Sequence, residues 1–347
     1  MKETFRHRRE AKLRYLPSLS GGRAGMGVVA LHLTFAFLLA VASATAWAQQ
    51  FPARPVRVIV PFAPGGSTDV VFRVIAPRVT ELLGQPLLVD NRPGGGATIG
   101  MDLVAKAPPD GYTVGVANIS FGANPSLLAK LPYDTARDFA PVSMVSIVTM
   151  VLAVHPSVPA KSVKELLALA KRNPDALTYG SAGNGSATHL AYARFNVASG
   201  AKILHVPYKG GGPAVVSAVS GETMTLFATI PSAIQHFQSG RLVPLGVSSP
   251  KRNSALPQIP TVAESGVPGY EAIEWQGVVA PAGTPAAVIQ RLSQAFAKAI
   301  TAPEMKDRLT AIGADAAGGT PEELAAFIKS ELANWSKVIR ESGIKLE

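Results

Sequence analysis

The sequence predicts an α/β fold, and three observations carry the prediction. Short β-branched or apolar runs recur along the chain, each bounded by Gly, Pro, Asn or Asp. Between them lie segments whose apolar residues repeat at helical spacing. Several of those segments open with a helix-start signature. Alternation of this kind predicts a mostly parallel sheet covered by helices. No repeat of fixed period and no low-complexity tract interrupts it.

The first strand is "VRVIV". It stops at Pro61-Phe62-Ala63-Pro64-Gly65-Gly66, and a helical pattern restarts with Ser67 as the expected cap and Thr68 and Asp69 in the first turn. Further strands are expected at 87–89, 112–117, 177–179, 203–206, 224–228, 242–247 and 277–280. Ser162-Val163-Lys164-Glu165 reads as a capping box ahead of Leu166, Leu167, Leu169 and Ala170. Thr284-Pro285 predicts a cap followed by proline at the first helical position, with Val288, Leu292, Ala295, Phe296 and Ala299 on one face. Thr320-Pro321-Glu322-Glu323 repeats the device before Leu324, Phe327, Ile328, Trp335 and Ile339. Two strand-like stretches, 138–156 and 274–285, stand apart from this rhythm. They predict paired crossings between two lobes, with one wider sheet as the alternative.

The ends and the charge narrow the class. Residues 1–24 carry seven Lys/Arg against Glu3 and Glu10. Residues 27–41 are almost wholly apolar, and Ala46-Trp47-Ala48 supplies small residues for a cut after Ala48. That order predicts a secretory signal peptide over 1–48, with an apolar run too short for a membrane span. Removing it leaves 347 − 48 = 299 residues and half of the formal +10 charge. No basic run interleaved with aromatics remains, which argues against nucleic acid as a partner. The chain has no cysteine, which excludes disulfides, thiolate metal ligation and thiol catalysis.

The turn after the first strand has a counterpart. In "LTYGSAGNGSATHL" a short strand ends at Tyr179, glycines follow, and a helix starts with Ser186 as its expected cap. Both turns place small residues at a helix N-terminus, whose unpaired N–H groups and dipole favour an anion. In open α/β sheets, ligands sit at such carboxyl ends of strands. Catalytic readings fit less well. Neither turn has the lysine of a phosphate loop, no G-x-G-x-x-G occurs, and neither Ser181 nor Ser186 lies in G-x-S-x-G. Ser186 and His189 stand three apart, a spacing that suits a cap and a first-turn residue better than a catalytic pair. His155, His205 and His236 show no metal-ligand spacing, and no cofactor is expected. Asp69 is expected to stabilise its own helix start and point back at its own backbone. The turn 91–96 and Trp275 are expected to be structural, and Lys209 solvated. Ser120, Asn124, Tyr208 and Gly210 stand evenly between pocket wall and framework.

"VPFAPGGSTD", "DNRPGGGATIG", "PPDGYTV", "LPYDTARDFAPVS", "YGSAGNGSATHL", "VPYKGGGPA", "IPTVAESGVPGYE" and "WQGVVAPAGTP" occur in that order. Together they resemble the Bug family, the extracytoplasmic solute-binding proteins of tripartite tricarboxylate transporters, over essentially the whole chain from Phe51. The resemblance implies a two-lobed fold of the type II periplasmic-binding kind with a ligand cleft between the lobes. Lobe 1 is expected at 51–150 plus 276–347, and lobe 2 at 151–275. The resemblance also implies that the two glycine-rich turns grip a small carboxylate, largely through backbone N–H groups. It carries ligand contact onto Phe62, Ala63, Pro64, Gly65, Gly66, Ser67, Thr68 and Asp69, and onto Ser181, Gly183, Gly185, Ser186, Thr188 and His189. Many relatives place aspartates in the strand near 223–229. Here the run is "ETMTLFAT", with Thr229 near the second acid, so an amine-bearing ligand is disfavoured.

The expected protein is therefore a periplasmic, monomeric solute-binding protein rather than an enzyme. Its partners are expected to be a carboxylate and either transporter membrane subunits or a receptor kinase. An exported α/β hydrolase using Ser186 or Ser181 is the alternative from another class.

Overall fold

The computed structural model describes residues 51–342, so the leader expected over 1–48 lies outside the described residues. Strands and helices alternate as expected. The first half runs β1 (Val56–Val60), α1 (Ser67–Leu83), β2 (Leu87–Asn91), α2 (Thr98–Ala105), β3 (Thr113–Asn118), α3 (Ile119–Leu127) and β4 (Phe139–Val154). Then come α4 (Val163–Arg172), β5 (Thr178–Ser181), α5 (Ala187–Ser199), β6 (Leu204–Pro207), α6 (Gly211–Ser220), β7 (Thr225–Thr229), α7 (Ile230–Gln238) and β8 (Val243–Val247). The chain closes with β9 (Ile273–Pro281), α8 (Ala286–Thr301), α9 (Pro303–Ala311), β10 (Ala314–Ala316) and α10 (Pro321–Ser342). A single 3-10 turn, Gly95–Ala97, precedes α2.

The strands hydrogen-bond in the order β2-β1-β3-β9-β4-β7-β5-β6, with β8 and β10 also on β4. The expectation of a mostly parallel sheet needs correcting. β1 pairs in parallel with β2 and β3, and β5 with β6 and β7. Every pairing that involves β4 or β9 is antiparallel. A helical crossover returns the chain in the same direction and makes parallel neighbours, whereas β4 and β9 come back against strands they do not follow by crossover. The two strand-like stretches singled out in the sequence pair with each other, from Phe139↔Pro281 to Thr149↔Ile273. At that point β4 changes partners: from Met150↔Thr229 onward it pairs with β7, and from Val151↔Val247 with β8.

Helix faces bury as the periodicity requires. α1 buries Val71, Phe72, Ile75, Val79 and Leu83, and α8 buries Val288, Leu292, Ala295, Phe296 and Ala299. The two helices share one core under β1 and β3, with Phe72 and Phe296 at 6.4 Å between ring centres. Each such side chain contributes roughly 1.5–3 kcal/mol on burial. A second core joins the aromatics Tyr192, Phe195, Phe227 and Tyr270. Trp275 is buried there too, its Nε1 donating to Glu331 at 2.8 Å and its ring edge-on to Phe327.

Helix starts test the capping expectations individually. At α10, Thr320 Oγ1 accepts from Glu323 N and Glu323 Oε2 accepts from Thr320 N, a complete capping box. At α4, Ser162 Oγ accepts from Glu165 N, while Glu165 reaches one residue further back, to Lys161 N. Two expected caps are not caps. Pro285 itself is the N-cap of α8, and the Thr284 hydroxyl donates to Pro281 O instead. Ser67 is the first residue of α1, whose N-cap is Gly66.

Candidate functional site

Several strands end where helices begin, and these turns meet around one buried cavity. Gly66, Ser67 and Thr68 enter it from the start of α1. Ser186, Ala187 and Thr188 enter from the start of α5, Gly211 from α6, and Thr229 from the N-cap of α7. Phe62, Ala182 and Glu274 complete the wall. The cavity measures about 20 Å³, room for about one water.

The electrostatics follow from helix geometry. The first N–H groups of a helix have no intrahelical acceptor, and the dipole adds partial positive charge there. Three of the four N-caps, Gly66, Gly210 and Thr229, make no side-chain cap bond that would satisfy those donors. Ser186 caps α5, accepting from His189 N at 3.3 Å, as expected from the sequence. Among the described residues, no Lys or Arg side chain lines the cavity. Donors without a formal cation suit one small anion.

The expected site residues divide by distance from this cavity. Phe62, Gly66, Ser67, Thr68, Ser186, Thr188 and Thr229 line it. Ala63, Pro64, Gly65, Asp69, Ser120, Ser181, Gly183, Gly185, His189, Tyr208 and Gly210 are not part of its wall. Most of these hold the turns in place. Ala63 N donates to Lys209 O at 3.0 Å, tying the β1–α1 turn to the β6–α6 turn. Asp69 accepts from Gly65 N at 3.0 Å and pairs with Arg73 at 2.9 Å, so its carboxylate turns back on its own backbone, as expected. Ser120 Oγ donates to Gly185 O, and Asn124 Nδ2 donates to Gly96 O. Gly183 N donates to Ser181 Oγ, and Gly185 N to His189 Nδ1. Gly183 and Gly185 have φ of 113° and 74°, a region that favours glycine.

Gly183 and Tyr208 instead face an outer pocket of about 500 Å³, which also shows Lys130, Lys209 and the glycines 94–96. The turn 91–96 and Lys209, expected to be structural and solvated, therefore both border this pocket. Phe62 and Ala182 belong to both walls.

The histidines act as packing groups. His189 stacks on His205 at 4.3 Å, and His205 stacks on Tyr179 at 4.8 Å. Burial holds His189 down to about 4. Burial, with the neighbouring His189 adding to it, holds His205 down to about 3. Ser186 Oγ meets the backbone N–H of His189, while the ring accepts from Gly185 N. That ring is not placed to take a proton from Ser186. Ser181 Oγ does lie 2.6 Å from His205 Nε2. Ser181 is fully buried, however, and among the described residues no carboxylate bonds the other nitrogen of His205. A buried hydroxyl with no orienting acid behind its base lacks the architecture of an activated nucleophile.

Sequence reasoning missed Ala182, Ala187, Gly211 and Glu274 of this wall, and of these only Glu274 carries an ionisable group. Glu274 is 4% exposed, and Ser67 Oγ donates to its Oε2 at 2.7 Å. Burial pushes its carboxyl up to about 7, only partly offset by the Ser67 hydroxyl and the Asn118 amide. The available signal was a lone acid inside an apolar strand, next to Trp275.

Residues 71–344 match the family model "Tripartite tricarboxylate transporter family receptor". The chain is 37% identical over 324 residues to protein BugT of Bordetella pertussis, covering 93% of this chain and 98% of BugT. It is similar to the solved structure of R. palustris Rpa4515 with adipate, with a TM-score of 0.83 at 36% identity, covering 85% of this chain and 99% of that one. The periplasmic binding protein BugD matches at a TM-score of 0.83 and 33% identity, covering 86% and 100%. MatC from Rhodopseudomonas palustris with bound malate matches at 0.79 and 32%, covering 83% and 100%.

Proposed function

The chain belongs to the tripartite tricarboxylate transporter receptor family, periplasmic solute-binding proteins and not enzymes, and on that premise we propose that it captures a small carboxylate for such a transporter. The ligand is held in the cavity where α1, α5, α6 and α7 begin. The observation that carries this reading is the convergence of four helix N-termini on one small cavity that, among the described residues, no Lys or Arg side chain lines. The adipate and malate held by the two R. palustris relatives belong to the same chemical class.

Capture takes place between two lobes, residues 51–150 with 276–347 and residues 151–275. The cavity has room for about one water, so a ligand enters only when the turns part. The change of partners by β4 between Thr149 and Met150, beside β9, supplies the bend. Export follows cleavage after Ala48, and the mature chain acts as a monomer.

Native mass spectrometry of protein purified from periplasm tests the reading. The expected spectrum is a monomer whose mass begins after Ala48 and which carries one small acid. A co-purified cation or neutral sugar, with no competition by carboxylates, would overturn it.

A further inference from the structure

We propose that Glu274 contacts the bound ligand in its protonated form, so that in alkaline solution the site takes up one proton together with each carboxylate. The inference rests on the carboxylate reading of the cavity and deepens it. Its basis is geometric. The Glu274 carboxyl lies in the wall of a cavity of about 20 Å³, so a carboxylate placed there meets it at close range. Two ionised carboxylates sharing a desolvated site repel strongly, and one of them must hold a proton. The helix N-termini favour charge on the ligand. The proton therefore stays on Glu274, which then donates a hydrogen bond to the ligand instead of repelling it.

The surroundings support that assignment. From α1, Ser67 bonds Glu274, and Asp69 turns away to Gly65 N and Arg73. From the β3–α3 junction comes the neutral Asn118, and on β9 itself the neighbouring Gln276 bonds Ser67. Among the cavity walls from α5, α6 and α7 there is no ionisable side chain, and His189 behind α5 stays neutral above about 4. Among the described residues, no arginine or lysine acts on Glu274 to keep it charged. The free protein holds this carboxyl near 7, so a proton is already present in mildly acidic solution and must be acquired in mildly alkaline solution.

Below about 7 the affinity is flat. Above it, affinity falls roughly tenfold per pH unit, because the bound state holds one proton more than the free state. Isothermal titration with a panel of mono- and dicarboxylates, adipate and malate included, measures this from about pH 6 to about pH 9. Repeating the alkaline titration in phosphate and in Tris counts protons, because the two buffers differ in ionisation enthalpy.

The expected result is uptake approaching one proton per ligand on the alkaline side. In Glu274→Gln, both the uptake and the slope disappear. Carboxylate binding with a flat pH profile and no uptake in the wild type overturns this inference and leaves the carboxylate reading standing. Uptake that persists in Glu274→Gln also overturns it. Binding of no carboxylate in the panel overturns both. The wild-type proton count decides the matter even if the variant fails to fold.

Discussion

The hydroxyl of Ser67, the first residue of α1, donates to the carboxyl of Glu274 on β9 at 2.7 Å, across 207 residues of chain. Each end of the bond has its own reason to be there. Ser67 stands at a helix start that replaces side-chain capping with glycine, and Glu274 is an acid on a buried strand that needs a donor. The contact places a titratable group in the wall of the cavity where four helices begin.

Ser186→Ala removes both a cap and a cavity-facing hydroxyl. Losing the cap should cost about 0.5–2 kcal/mol of stability in chemical denaturation. Losing one hydrogen bond to a charged ligand should cost roughly 1.5–3 kcal/mol, a ten- to hundredfold weaker affinity by calorimetry. The ligand should be recovered intact from wild type and variant alike. Ester or amide cleavage by the wild type that vanishes in the variant would establish a hydrolase.

Asp69→Asn tests whether the first turn holds its ligand by backbone alone. The carboxylate serves Gly65 N and Arg73 and is no part of the cavity wall. Stability should fall by about 0.3–1 kcal/mol, the scale of an anion at a helix N-terminus. Affinity for a simple carboxylate should hold or improve. A loss of more than about tenfold would place Asp69 in direct service to the ligand.

Gly212→Ala should keep the turns apart. A Cβ there would overlap Pro64 O, a backbone atom of the opposing turn. Small-angle scattering with saturating ligand should show the wild type contracting and the variant contracting less, with weaker binding. Equal contraction would mean that these two turns do not meet in the bound state.

Gly66→Val tests close approach without backbone strain. Gly66 has φ −78° and ψ 166°, an extended geometry open to any residue, whereas Gly65 next to it has φ 83°. The added side chain points at Gly211, whose N lies 3.4 Å from the Cβ position. Binding should be lost with little change in the unfolding midpoint. Normal binding would remove the anion cradle from this turn.

The stacked histidines predict an acid limb. The folded state holds His189 at about 4 against an ordinary value near 6.5. For a depressed value, the neutral form favours the fold. The contribution is therefore present above about pH 6.5 and is lost as pH falls toward about 4. Its full size is on the order of 3 kcal/mol, read from denaturant midpoints across that window. His189→Gln should flatten the limb, and an unchanged limb would assign it to other groups.

Much of this molecule was legible in the chain because local chemistry decides it. The strand at Val56–Val60, the amphipathic face of α8, the box at Thr320 and the cap at Ser186 each depend on residues within a few positions of one another. The paired glycine turns and their place at the carboxyl ends of strands were readable for the same reason. So was the backward turn of Asp69, four residues from Gly65 on one side and from Arg73 on the other. What escaped was decided by distant partners. Ser67 and Thr284 have the chemistry of caps, but two residues of β9, the Glu274 carboxyl and the Pro281 carbonyl, take their hydroxyls instead. Which turn residues face the cavity and which brace it depends on how four helix starts are brought together. Glu274 is silent in the sequence because its meaning lies in Ser67, Asn118 and the loss of water around it. Periodicity and capping act over a few residues and can be read from order alone, whereas burial and the pairing of β4 with β9 and β7 exist only once the chain has closed on itself.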